Sequence, residues 1–129
     1  MKLLLDTHVW LWTLGGSPRL GRTLRQEIEN PANEIWLSPV STWEALLLVA
    51  KGRIRIDAEI SEWLRKATAN YREAPLTHEI VVAAYDLRTE HRDPADRFLA
   101  ATAYVLDLTL ATADAKLLGL GAIRTLANR

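Results

Sequence analysis

A chain of 129 residues, 49% of them hydrophobic, is one domain's worth of sequence with enough apolar side chains for a core. Its 16 basic and 16 acidic residues cancel, so net charge supplies no broad hold on nucleic acid or membrane, and an anionic ligand must be met by local patches or through a bound cation. The absence of cysteine excludes disulfides and thiolate chemistry and accords with a reducing compartment.

Residues 2–5 (KLLL) predict a short buried strand that ends at Asp6, which can cap a helix over 7–14. This apolar run is too short for a signal peptide or a membrane span, and a soluble, cytoplasmic protein without membrane association is expected. Ser17-Pro18 offers a cap followed by Pro at the first helical position, opening a helix to about Glu29. Residues 34–37 (EIWL) form the next strand candidate. Ser41 opens a helix through Ala50 with Gly52 as its stop, and Ser41-x-x-Glu44 fits a capping box. That helix is so apolar that most of its circumference is expected to be buried, with Glu44 as its one acid. Residues 57–70 and 77–90 carry apolar positions at helical spacing, and 73–76 (EAPL) between them is a strand candidate. Asp93-Pro94 opens a long helix through about Leu106, with Asp96 in its first turn. Residues 108–111 (LTLA) and 122–126 (AIRTL) are further strands, separated by Asp114 and a short helix over 115–119 that it can cap. Strands alternating with helices, without a hairpin signal, predict one α/β domain over residues 1–129 with a parallel sheet covered on both faces.

In open α/β sheets the ligand site lies beyond the carboxyl ends of the strands. Asp6 and Asp114 follow strands, while Glu44 and Asp96 lie near helix starts, so the topology would bring all four toward one edge. Each acid taken alone is explained by capping or by the helix dipole. Together they demand more, because two carboxylates ~4 Å apart repel by about 4 kcal/mol at an effective dielectric of about 20. A partly buried cluster would hold protons unless a divalent cation neutralised it. Oxygen ligands without Cys or clustered His favour Mg²⁺ or Mn²⁺ over zinc. Such an ion activates an attacking water and stabilises charge on phosphoryl oxygens.

LLLDTHVW, VSTWEALLL, DPADRFLAATA and LATADAKL, in this order over nearly the whole chain, resemble the four acidic motifs of the PIN domain, and most closely the VapC-type toxin ribonucleases. The resemblance implies a three-layer α/β/α sandwich around a parallel sheet. It implies a Mg²⁺- or Mn²⁺-dependent endoribonuclease that cuts single-stranded RNA, with Asp6, Glu44, Asp96 and Asp114 as the catalytic and metal-binding residues. It implies a cognate antitoxin and a homodimer. Asp96 matches the third motif better than Asp93, and Thr112 is a polar neighbour of the fourth. Many members carry a second acid soon after the fourth motif, where this chain has Ala115, Lys116 and Leu117. A receiver-like signalling module with an acidic pocket is the alternative, but it needs paired acids at the end of the first strand. A haloacid-type phosphatase needs D-x-D there, and position 8 is His. A binding module with a dead site is the third reading.

The remaining candidates are weaker. His8, His78 and His91 are scattered, and only His8 lies near Asp6 in sequence. Arg97 either reaches a substrate phosphate or forms a local ion pair. Arg19, Arg22, Arg25, Lys51, Arg53 and Arg55 either flank an RNA path or are solvated. Trp10, Trp36 and Trp43 are expected in the core, and Trp12 and Trp63 at partner contacts. No tryptophan sits in the aromatic-plus-basic pattern of a single-strand stacking platform.

Overall fold

The computed structural model describes residues 1–87 and 93–129; His91, and the end of the helix expected over 77–90, lie outside the described residues. The chain runs β1 (Lys2–Leu5), α1 (Thr7–Gly15), α2 (Arg22–Glu29), β2 (Glu34–Leu37), α3 (Pro39–Ala50), α4 (Ile60–Ala67), β3 (Arg72–Glu73), α5 (His78–Asp86), α6 (Pro94–Leu106), β4 (Thr109–Thr112), α7 (Ala115–Leu118) and β5 (Arg124–Ala127). The five strands form one sheet in the order β3-β2-β1-β4-β5, and every pairing is parallel.

Alternating side chains on each strand build the two faces of the sandwich. Leu3, Leu5, Ile35, Leu37 and Ala111 point to one side, where Val9 and Trp10 of α1, Leu24 of α2 and Ala67 of α4 cover them. Leu4 and Leu110 point to the other, onto Leu99, Ala100 and Ala103 of α6 and Leu117 of α7. The small residues of α6 let it lie close to the sheet, and α5 packs on its outer side through Ile80 and Ala84 against Ala101. Trp10 is fully buried, donates its Nε1–H to the Ala67 carbonyl at 3.1 Å and meets the Trp63 ring at 6.0 Å. Trp10→Ala is therefore expected to cost about 3–5 kcal/mol of stability, read as an earlier midpoint in urea with an unchanged slope.

Several local expectations change. Residues 17–20 form a turn, closed by Leu20 N–H donating to the Ser17 carbonyl at 3.2 Å, and the helix starts only at Arg22. Its start is held from the far end of the chain: Leu24 N–H donates to the Arg129 carbonyl at 3.0 Å, and Gly21 N–H to Asn128 Oδ1 at 2.7 Å. A Cβ on Gly21 would stand 1.9 Å from the Arg129 carbonyl carbon, so this close approach requires glycine. Helix α3 opens earlier than Ser41, because Ser38 caps it through Val40 N–H at 3.0 Å and Pro39 takes the first helical position. Ser41 is thus an inner residue, Glu44 lies in the second turn, and the capping box does not form. Nor is α3 buried on most of its circumference: only Val40, Ser41 and Ala45 are, and Trp43, expected in the core, is 61% exposed. Trp36 is half-buried under the Arg72 guanidinium, 5.8 Å from its ring centroid. Strand β3 stops at Glu73 instead of continuing to Leu76, since Pro75 has no N–H to give the ladder. Gly52 does end α3 region as expected, at φ 71° with Arg53 N–H donating to the Leu48 carbonyl at 2.9 Å.

Candidate active site

The chain leaves β1 for β2 and β3 on one side and returns for β4 and β5 on the other, so the β1–β4 boundary is the topological switch point. Asp6 leaves β1 there and stays tied to β4, its N–H donating to the Ala111 carbonyl at 3.0 Å. Asp114 follows β4 and caps α7, accepting from Lys116 N–H at 2.8 Å. Helix α6 brings Asp93, its N-cap, and Asp96, in its first turn, to the same place. Helix α3 brings Glu44. Asp6, Glu44, Asp93, Asp96 and Asp114 all line one open cavity of about 320 Å³, together with Thr7, His8, Trp12 and Ala113. All four acids singled out from the sequence meet here, and Asp93, ranked behind Asp96, stands with them.

Asp6 is the deepest, at 7% exposure. Burial pushes its carboxyl above the ordinary value, outweighing the hydrogen bonds from Thr112 and Thr7 and the His8 field that pull it down; the Asp114 charge adds to the rise. Its Oδ1 accepts from Thr7 N–H at 2.7 Å and its Oδ2 from Thr112 Oγ1 at 2.7 Å. Burial likewise raises the half-buried Glu44, against the hydrogen bond from Thr7, and the Asp93 and Asp6 charges add to it. Thr7 Oγ1 contacts both Glu44 Oε1 and Ser41 Oγ, the latter at 2.9 Å. A hydroxyl has one proton to give, and an ionised carboxylate can only accept, so Thr7 donates to Glu44 and receives from Ser41. Thr112 plays the matching part on the other side, accepting Asp114 N–H at 3.0 Å while donating to Asp6.

Thr7 and Ser41, which brace Asp6 and Glu44, are not among the site candidates that the sequence offers. The signal was the Asp-Thr pair after the first strand and a serine one helical turn before Glu44. Arg97, in contrast, does not belong to the site. Its guanidinium donates to the carbonyls of Ala84 (2.8 Å), Tyr85 (3.2 Å) and Leu87 (3.3 Å), closing the C-terminal end of α5.

The donor set is oxygen-only, held at its base by two threonines, and its buried members are destabilised as anions; that chemistry fits a hard divalent cation. Among the described residues, no three His, Asp or Glu side chains stand as a closed group that could hold a metal ion. A receiver-like reading loses its footing, since Thr7 and His8 follow Asp6 where a second acid would be needed.

The profile of the PIN domain matches residues 3–122. Ribonuclease VapC22 of Mycobacterium tuberculosis (strain ATCC 25618 / H37Rv) is 31% identical over 116 residues, spanning 89% of this chain and 88% of that protein. The chain belongs to the PIN-domain family. Its fold agrees with that of other PIN domains of the VapC branch. One chain of Rickettsia felis VapBC2, solved bound to a DNA fragment from its promoter, superposes with a TM-score of 0.78 at 17% identity, with 98% of each chain covered. A chain of VapBC-5 from Mycobacterium tuberculosis, a member of the VapBC family of toxin–antitoxin systems, gives 0.62 at 18% identity, again over 98% of each.

In this PIN domain Thr112 ties the Asp6 carboxylate to the Asp114 backbone. Thr112→Val keeps the shape of a fully buried side chain but removes the donor to Asp6. RNA cleavage is expected to fall about 10–100-fold, as for other groups that orient metal-binding side chains. Because the lost hydrogen bond held the Asp6 carboxyl down, the deficit should widen as pH falls. A pH series of initial rates for wild type and variant checks this.

Proposed function

We propose that residues 1–129 act as one domain, a Mg²⁺- or Mn²⁺-dependent endoribonuclease that hydrolyses single-stranded RNA in the cytoplasm as the toxin of a toxin–antitoxin pair. The observation that carries it is the convergence of five carboxylates on one cavity at the switch point, two of them raised by burial. The family and the likeness to a ribonuclease VapC support it. Asp6, Glu44, Asp96 and Asp114 would hold the ion, with Asp93 at the rim. When bound, the ion supplies an activated water and neutralises charge on the phosphoryl oxygens. The chain's own contribution is orientation: Thr112 and Thr7 fix the Asp6 carboxylate, and Thr7, backed by Ser41, fixes Glu44. The test is cleavage of labelled single-stranded RNA against duplex DNA in Mn²⁺. Preferential cutting of the RNA is expected, and preferential cutting of duplex DNA would overturn the substrate class.

A partner fits beside the site. Trp43, Leu47, Leu76 and Phe98 line an apolar groove of about 480 Å³ that shares Glu44 and Asp93 with the acidic cavity. A cognate antitoxin would lay an apolar segment there and set a basic side chain among the acids. Trp43 is a surface residue, so Trp43→Asp should fold normally yet weaken copurification with the antitoxin by about thirtyfold or more, the size of an interface hot spot. A homodimer is proposed as well, with Val82 and Tyr85 of α5, 59% and 84% exposed, as the apolar surface in want of cover.

A further inference from the structure

One wall of the acidic cavity is aromatic. His8 and Trp12, one helical turn apart on α1, both line it, with ring centroids 6.1 Å apart and planes tilted by 31°. The two differ in anchoring. Trp12 is half-buried and packs its inner side on the core formed by Val9, Trp10 and neighbouring leucines, while His8 is exposed. Trp12 is therefore fixed in place and still shows part of its ring to the cavity. Nothing in the core requires His8, and the fold would tolerate a charged or aliphatic residue there. The pair lacks the interleaved basic residues of a typical stacking platform and faces acids instead.

Acids that hold a cation grip the phosphate of a strand but leave its bases without a partner. A single strand at the site must place the bases that flank the bound phosphate somewhere, and unstacked bases settle on aromatic faces. We propose that His8 and Trp12 form a stacking wall for a base next to the scissile phosphate. It gives this site a preference for single strands, since a paired base has no free face to offer. This rests on the ribonuclease reading above.

The test separates the two. Short single-stranded RNAs with one abasic nucleotide, placed at each position around the cut in turn, are assayed for cleavage by the wild-type protein. They are also assayed for binding to the wild-type protein in Mn²⁺, with a non-hydrolysable linkage at the cut, by fluorescence anisotropy. Loss of the base at one flanking position is expected to weaken binding and raise KM about tenfold, with kcat little changed. In His8→Ala and Trp12→Leu that penalty should shrink toward none, and in His8→Phe it should persist. Because His8 is exposed, His8→Ala reports even if Trp12→Leu folds poorly. An abasic penalty that is absent, or equally large in wild type and His8→Ala, overturns the stacking wall and leaves the ribonuclease standing. A wild-type protein that neither cuts nor binds the intact RNA overturns the ribonuclease reading itself.

Discussion

Asp6→Asn should cut RNA about a hundredfold more slowly or worse, and without added metal it should be at least as stable as wild type. Two roles meet in this residue, and the amide separates them. As the N-cap of α1, Asp6 accepts from Thr7 N–H through Oδ1, and asparagine caps a helix as well as aspartate does. Thr112 can turn its hydroxyl to accept from the new amide. What the variant loses is a charge. The Asp6 carboxyl is raised by burial and by Asp114, so the folded protein holds its proton to higher pH than the unfolded chain. A raised carboxyl makes the fold lose stability as pH rises from the unfolded value through the folded one. Removing the charge removes the loss. A substitution that stabilises the metal-free protein while abolishing cleavage is the signature of a residue kept for chemistry. If Asp6→Asn melts lower and cuts normally, Asp6 is a cap only.

Mn²⁺ should reverse the same destabilisation. At about a hundred times its dissociation constant, an ion that binds only the folded protein adds about 2.7 kcal/mol. Wild type is thus expected to melt several degrees higher with Mn²⁺, whereas Asp6→Asn and Glu44→Gln should gain much less. The effect has a pH direction. Protons compete with the cation for the raised carboxyls of Asp6 and Glu44, so the Mn²⁺-induced shift should fade as pH drops toward and through their elevated values. Melting curves with and without Mn²⁺ across a pH series check both statements. An equal gain for wild type and both variants would place the ion elsewhere.

The sheet was legible because its signal is local. The apolar runs LLL and EIWL, and acids that follow strands, need only neighbours to be read, and the same holds for the Asp93-Pro94 helix start. The four acids were legible as a set because open parallel sheets gather such residues at one edge. What escaped depends on contacts between distant residues. Thr7 reaches Glu44 and Ser41 across more than thirty positions, and the start of α2 is held by Asn128 and Arg129. Trp43 was misplaced because hydrophobicity alone does not tell a core face from an uncovered groove, and a helix apolar all round reads as buried in either case. Arg97 was drawn toward the acids by its sequence neighbour Asp96, yet successive helical residues point about 100° apart, and its guanidinium turns to α5.

The central claim is that the acids at the switch point hold a divalent cation through which RNA is cut. The most direct measurement is a cleavage time course of the wild-type protein on single-stranded RNA in Mn²⁺, alongside the same reaction in excess EDTA. Cleavage that stops in EDTA and returns when Mn²⁺ is restored is the expected result, and cleavage that runs on undiminished in EDTA would contradict it.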